Sequence, residues 1–175
     1  MFSMLSPHAS TLRSIGITSF DIDGRDSDHL GIDVQNLDLA SFKALEQLCL
    51  HHEDTYHFSS LESILTAPRL RKFVWNFSGS SQYRIPFHYP NKKMLSWIQS
   101  LVVAARSQRH GLRHVHVFFS TQNGDPYELD ELSQLRDEAA EQGIVLSYPE
   151  LGITRHEPVN YDELWADARP RLPGH

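Results

Sequence analysis

Four segments of the chain share one spacing, in which an apolar residue is followed three positions later by two more that alternate with other residues. These segments are 12–17, 45–50, 70–75 and 112–117, and a weaker fifth, Ile144-Val145-Leu146, follows Gly143. Alternation at every second position is the period of a β-strand. The first four segments begin 33, 25 and 42 residues apart. A motif that recurs at such intervals predicts a chain of structural repeats, each contributing one strand.

Helix signals lie between these strands. A capping box at 59–62, followed by Pro68, predicts one short helix. Asn91 can cap a longer helix, and Asp125-Pro126 is typical of the start of another, which Gly143 ends. The apolar stripes of these last two helices are Met94, Leu95, Ile98, Leu101 and Val102, and then Leu129, Leu132, Leu135 and Ala139.

Strands and helices therefore alternate along the chain, and each helix leads into the next strand. Neither kind of unit can bury its apolar side alone, so stacking in chain order predicts a core between a parallel sheet and a row of helices. We expect one such α/β domain over residues 1–150. Residues 151–175 are rich in proline and predict an irregular C-terminal tail with one short capping helix.

The motif resembles a degenerate leucine-rich repeat. Phe42-Lys43-Ala44-Leu45-Glu46-Gln47-Leu48-Cys49-Leu50 and Leu65-Thr66-Ala67-Pro68-Arg69-Leu70-Arg71-Lys72-Phe73 are similar to the repeat region of fungal F-box proteins, and the resemblance covers roughly residues 10–150. It implies a short, irregular leucine-rich-repeat-like solenoid, with parallel strands on one side and helices on the other. It also implies a function, because in that family the repeats recognise a protein that is to be ubiquitinated.

Two features of that family are missing from the sequence. A separate F-box binds the ligase adaptor, and its usual opening Leu-Pro occurs here only as Leu172-Pro173. The asparagine that often follows the strand has a counterpart only at Asn76. Binding to the ligase adaptor is therefore not expected. The chain is either complete, with its end strands covered by its own termini, or the C-terminal piece of a longer protein.

Charge and hydropathy exclude other partners. Sixteen basic residues against twenty-two acidic ones give a net charge of −6, the wrong sign for a protein that binds phosphate backbones. The most apolar run, 97–105, is interrupted by polar residues and is too short to span a bilayer. We therefore expect an intracellular protein, cytoplasmic or nuclear, that binds neither nucleic acid nor membranes.

The sheet face turned away from the helices is the candidate binding surface, since side chains alternate between the faces. An insertion at 78–90 adds aromatic residues of the kind that anchor interfaces. The alternative is a solvated sheet face with no dedicated partner, and insertion residues that tuck under the following helix. The candidate protein-binding residues are Gln47, Cys49, His51, Lys72, Val74, Asn76, His114, His116 and Phe118 on the strands, and Tyr83, Phe87 and Tyr89 in the insertion.

Catalytic motifs are absent from the sequence, which has no nucleophile elbow, phosphate loop or dinucleotide fingerprint. His114-x-His116 could supply two metal ligands from one strand, with Cys49 and His51 in another row. We expect no metal, no cofactor and no enzymatic activity. The sequence instead predicts a protein-interaction module, and the resemblance implies that this module is the substrate-recognition part of an F-box type ubiquitin ligase subunit. The alternatives are an interaction or structural domain with no link to ubiquitin, and a histidine-based metal-binding protein.

Overall fold

The structure is a computed structural model, and it describes residues 6–17, 38–51, 61–77, 92–119 and 126–149. The described residues form a five-stranded sheet in which neighbouring strands follow one another in chain order. The strands are β1 (Ser14–Ile17), β2 (Gln47–His51), β3 (Lys72–Asn76), β4 (His114–Phe118) and β5 (Val145–Ser147), and every adjacent pair is parallel. The prediction of an α/β chain with parallel strands is confirmed.

The pairing register aligns the repeated motif from strand to strand. The second apolar position of the motif forms one continuous buried row across the sheet. Its residues are Ile15, Leu48, Phe73, Val115 and Leu146. A second row of the same core contains Leu50, Trp75 and Val117, all with no exposed surface. The leucines that open the motif, Leu45, Leu70 and Leu112, are equally buried just ahead of their strands. The spacing in the sequence therefore marks which residues share a row of the core.

The backbone repeats its hydrogen bonding at the start of each strand. The carbonyl oxygen of Arg13 accepts the N–H groups of Glu46 and Gln47, at 2.8 and 3.0 Å. The carbonyls of Glu46 and Arg71 accept from the corresponding pairs on the next strand at 2.8 to 3.0 Å. The same entry geometry in successive units sets the register, on which the row assignments depend.

Two α-helices cover the core face of the sheet. They are α1 (Lys92–Ser107) and α2 (Pro126–Glu141). The predicted stripe of α1 is buried throughout, and Trp97 of this helix stacks on Trp75 with ring centroids 6.1 Å apart. Burying a large aliphatic side chain contributes about 1.5–3 kcal/mol, so these rows dominate the stability of the fold. In α2 the residues Leu132, Leu135 and Ala139 are buried as predicted.

Polar contacts join the two helices. Lys92 at the start of α1 pairs with Glu131 at 3.4 Å, and Gln99 Nε2 donates to Glu138 Oε2 at 2.9 Å. These groups are largely exposed, so each contact contributes less than about 1 kcal/mol. Their main contribution is to link α1 and α2 where the two helices lie side by side on the sheet.

The earlier connections carry 3₁₀ segments instead of α-helices within the described residues. Leu39–Ser41 precedes β2, and Leu61–Thr66 precedes β3 where the capping box predicts a short helix. A further segment, Ser6–His8, precedes β1. Asp38 caps the segment before β2 by accepting the N–H of Ala40 at 3.1 Å. Within the described residues, a 3₁₀ segment thus precedes each of the first three strands, and an α-helix precedes each of β4 and β5.

The end of α1 forms a Schellman motif. The N–H of His110 donates to the carbonyl of Ala105 at 2.8 Å, and the N–H of Arg109 donates to that of Arg106 at 3.1 Å. Arg109 is the residue that turns the chain, and its φ of 53° lies in the left-handed region. Arginine is an unusual choice there, because side chains with a Cβ atom are disfavoured in that conformation.

The end of α2 repeats this motif with glycine. The N–H of Ile144 donates to the carbonyl of Ala139, and that of Gly143 donates to Ala140, both at 2.9 Å. Gly143 has a φ of 76°, which glycine adopts at no steric cost. The predicted helix end at Gly143 is confirmed.

The tail at 151–175 and the insertion at 78–90 lie outside the described residues. No helix in the described ranges has the length and apolar character needed to cross a bilayer.

Candidate functional site

The candidate site is the sheet face turned away from the helices, called here the outer face. The register places its residues in three rows across the strands. The first row is Ser14, Gln47, Lys72, His114 and Val145, the second is Gly16, Cys49, Val74, His116 and Ser147, and the third is His51, Asn76 and Phe118. All nine strand residues that the sequence predicts for this face thus occupy aligned positions on β2, β3 and β4.

Side chains in the middle of the outer face, on β2 and β3, are buried. Cys49, His51 and Val74 are each 2% exposed, and Asn76 is 4% exposed. The accessible surface is therefore smaller than predicted, because these four side chains are closed to a partner. Strand alternation assigns a residue to a face of the sheet, but it carries no information on whether the rest of the chain covers that face. Gln47 belongs to the same region, and its Oε1 atom is buried with no hydrogen-bond partner among the described residues.

One accessible part of the outer face lies over β4 and β5 and reaches Lys72 on β3, while Gly16 on β1 is exposed as well. His114 is exposed, while Lys72, His116 and Phe118 are half-buried. The last strand adds Val145, which is 55% exposed, and an exposed Ser147. We call this set the β4–β5 patch: Lys72, His114, His116, Phe118, Val145 and Ser147. Sequence reasoning missed Val145 and Ser147, although the same alternation extended through the weak fifth strand would have included them.

His116 is the most perturbed group of the β4–β5 patch. Burial and, to a smaller extent, the positive charge of Lys72 together lower the pKa of this imidazole to about 4. Its Nδ1 atom lies 2.8 Å from Ser147 Oγ, and its ring contacts that of Phe118 at 6.2 Å between centroids. His116 is therefore neutral at physiological pH and acts as a hydrogen-bonding, semi-apolar element of the patch.

The hydrogen bond between His116 and Ser147 falls short of a catalytic pair. A base with a pKa of about 4 is a poor acceptor for a serine proton near neutral pH. A serine nucleophile also needs a third group to orient the histidine. In the part of the chain that the structure describes, the ring has no contact of this kind with a carboxylate. The pair is better suited to binding than to acyl transfer.

Cys49 is a buried, free thiol on β2, in the same row of the outer face as His116. Burial raises its pKa to about 11, and Lys72 opposes this rise only in part. Val74 pairs with Cys49 on one side and with His116 on the other. Two strand spacings of about 4.8 Å separate Cys49 from His116, so the two side chains do not form a thiolate–imidazole pair.

The histidine and cysteine positions considered as metal ligands are spread across the outer face. His114 and His116 share one strand, whereas His51 and Cys49 lie on β2, and β3 runs between them. No three His, Cys, Asp or Glu side chains come together as a metal-binding group within the described ranges.

The insertion residues proposed for binding, Tyr83, Phe87 and Tyr89, lie outside the described residues. The strand residues therefore carry the description of the site.

Comparison with known proteins gives no further assignment, because no family model, no curated protein and no solved structure matches the sequence.

Proposed function

We propose that the chain is a non-catalytic protein-interaction module, built as a short, irregular leucine-rich-repeat-like solenoid. The observation that carries this proposal is the sheet itself: five parallel strands in chain order, with helices on one face and an accessible polar and aromatic patch on the other. A sheet of adjacent, equivalent units offers a continuous surface, which is how solenoid proteins bind their partners.

The β4–β5 patch favours one kind of partner. Phe118 and Val145 supply apolar surface, and Lys72 supplies a positive charge beside the neutral His116. A protein segment with an apolar anchor and a nearby carboxylate would complement this arrangement, because apolar surface packs on apolar surface and opposite charges attract. The partner class is thus a protein segment that is apolar at its centre and acidic at its flank.

The resemblance to fungal F-box proteins supports a narrower proposal, that the patch recognises a substrate for ubiquitination. Because the sequence lacks the F-box, the module would supply recognition and not adaptor binding. We further propose that it works inside the cell, which is consistent with a single, buried, unpaired cysteine. An interaction or structural domain with no link to ubiquitin is the alternative.

Selection from a displayed peptide library tests the binding surface. We expect selected peptides to carry an apolar residue near an acidic one, and to lose affinity at least tenfold against His114→Glu, which places a like charge on the exposed patch. Val103→Glu is the matched control, since Val103 is 57% exposed on α1. Equal affinity for both variants would contradict the assignment of this surface.

The link to ubiquitin needs a separate experiment. The full chain, tagged and expressed in a fungal cell, is crosslinked, and the ubiquitinated proteins recovered with it are quantified against the His114→Glu variant. Enrichment that depends on His114 supports substrate recognition within a ligase assembly. Peptide binding without such enrichment supports the alternative module.

A further inference from the structure

A cavity of about 370 Å³ lies near the N-terminal ends of β4 and β5. It is bounded by the last turn of α1, the loop that leads into β4 and the loop between α2 and β5. Its polar lining residues are Arg106, Ser107, Arg109, His110, Arg113 and Gln142. The volume lies within the range of sites that hold small molecules.

The charge of this lining is one-sided. Arg106, Arg109 and Arg113 bring three guanidinium groups to one cavity, and none of the described residues that line it is acidic. All three arginines are exposed, and across residues 6–17, 38–51, 61–77, 92–119 and 126–149 none of them forms an ion pair. The chain as a whole has a net charge of −6, so the cavity is a positive site on an acidic protein.

Hydrogen bonds fix the loop that carries these arginines. The Nδ1 atom of His110 accepts the N–H of Leu112 at 3.1 Å, so its Nε2 atom bears the hydrogen and donates to the carbonyl of Ala67 at 2.8 Å. Arg113 donates through Nη1 to the carbonyl of Leu112 at 3.0 Å. The loop is thus tied to the connection before β3, and the lining is preorganised before any ligand binds.

Arg109 is held in a conformation that its side chain disfavours. It occupies the left-handed position that glycine occupies at the equivalent end of α2. Glycine at position 109 would make the turn at lower free energy, so the arginine sacrifices stability at this point. Backbone strain of this kind concentrates at functional sites, where it is retained because the side chain has another task.

We propose that this cavity binds a phosphate-bearing small anion. A phosphate group offers three acceptor oxygens and up to two negative charges, so several guanidinium groups can bind it at once. A carboxylate has two oxygens and one charge, and it would leave part of this cluster uncompensated. The described residues that line the cavity include none of the residues of the β4–β5 patch, and the proposal does not depend on the proposed protein-binding function.

Helix electrostatics alone provides a competing account of the arginines. Cations near a helix C-terminus interact favourably with the partial negative charge of that end. Under that account, removing Arg106 or Arg109 weakens the helix and leaves phosphate without effect. The two accounts therefore differ in what phosphate does: only a phosphate site loses affinity for phosphate when Arg106 or Arg109 is replaced.

Isothermal titration with inorganic phosphate, and then with pyrophosphate, tests the proposal at constant ionic strength. We expect a Kd of about 1 mM or lower for the wild-type chain. Arg106→Gln and Arg109→Gly should each weaken binding at least tenfold. Arg136→Gln is the matched control, because Arg136 is an exposed arginine of α2 that does not line the cavity.

Arg109→Gly separates loss of the site from damage to the fold. It removes one guanidinium while giving the turn its preferred residue, so the variant should bind phosphate more weakly and yet unfold at a higher denaturant concentration. Wild-type binding no tighter than in the two cavity variants, or an equal loss in Arg136→Gln, would overturn the proposal. A destabilised Arg109→Gly variant with unchanged phosphate affinity would favour the helix-dipole account.

Discussion

Exchanging residues at the two Schellman turns tests how far backbone conformation controls the stability of this fold. At Gly143 a Cβ atom would meet nothing within 4 Å, so Gly143→Ala introduces no collision and changes only the backbone preference. Holding a residue with a Cβ atom in the left-handed region costs about 1–2 kcal/mol. Loss of glycine's freedom in the unfolded chain offsets about 0.4–1 kcal/mol of this. We therefore expect Gly143→Ala to destabilise by about 1 kcal/mol.

Arg109→Gly should change stability by a similar amount in the opposite direction, because it removes the same strain from the end of α1. Gly111 provides the internal control. It lies outside the left-handed region, and a Cβ atom there would meet the carbonyl oxygen of Leu70 at 3.7 Å, an ordinary contact. Gly111→Ala should thus be neutral or stabilising, by up to about 1 kcal/mol, through the unfolded state.

Urea unfolding followed by circular dichroism measures all three variants against the wild-type chain. A shared m-value would show that the changes are in stability and not in the extent of unfolding. The reasoning would be refuted if Arg109→Gly and Gly143→Ala shifted the midpoint in the same direction. It would also fail if Gly111→Ala cost as much as Gly143→Ala, since the penalty would then not arise from the left-handed conformation.

Other residues give further measurable outcomes. Leu48→Asp buries an uncompensated charge in the core, at a cost on the order of 4 kcal/mol, whereas Val145→Asp on the exposed edge of the same sheet should cost less than about 1 kcal/mol; thermal unfolding compares them. His116 stays neutral in the folded chain down to a pH of about 4 but takes up a proton near pH 6.5 when unfolded, so stability should fall as the pH drops through this window, by up to about 3 kcal/mol. His116→Gln should flatten the stability profile measured by urea titration at several pH values. The buried Cys49 thiol, with its pKa raised to about 11, should react with an aromatic disulfide reagent only after unfolding, so a rate that matches exposed thiols in native buffer would contradict the assigned burial.

The core could be read from the sequence because one spacing encodes it. The motif that begins at Leu45 places Leu48 and Leu50 on the core face of β2. Both side chains are fully buried. The helical stripe of α1 follows equally directly, since an apolar residue every three or four positions has one geometric solution. Local pattern and global packing agree at these positions, so the local pattern is sufficient.

The outer face shows where local pattern is insufficient. The sequence places Cys49 and Asn76 on this face correctly, but strand alternation does not indicate that both side chains are buried there. The left-handed turn at Arg109 is likewise invisible to pattern reasoning, because glycine is the residue that signals such a turn. Long-range coverage and strained turns are set by the whole fold, and a window of a few residues does not contain them.

Strand pairing in chain order has a mechanical consequence. Each strand is hydrogen-bonded only to its neighbours in chain order. Tension applied between residues 14 and 147 would therefore act first on the edge strands and separate the strand pairs one at a time. Adjacent strands begin 25 to 42 residues apart, so each rupture would release about 90–150 Å of slack. The extension of such a chain under force would increase in discrete steps, and each step would require work.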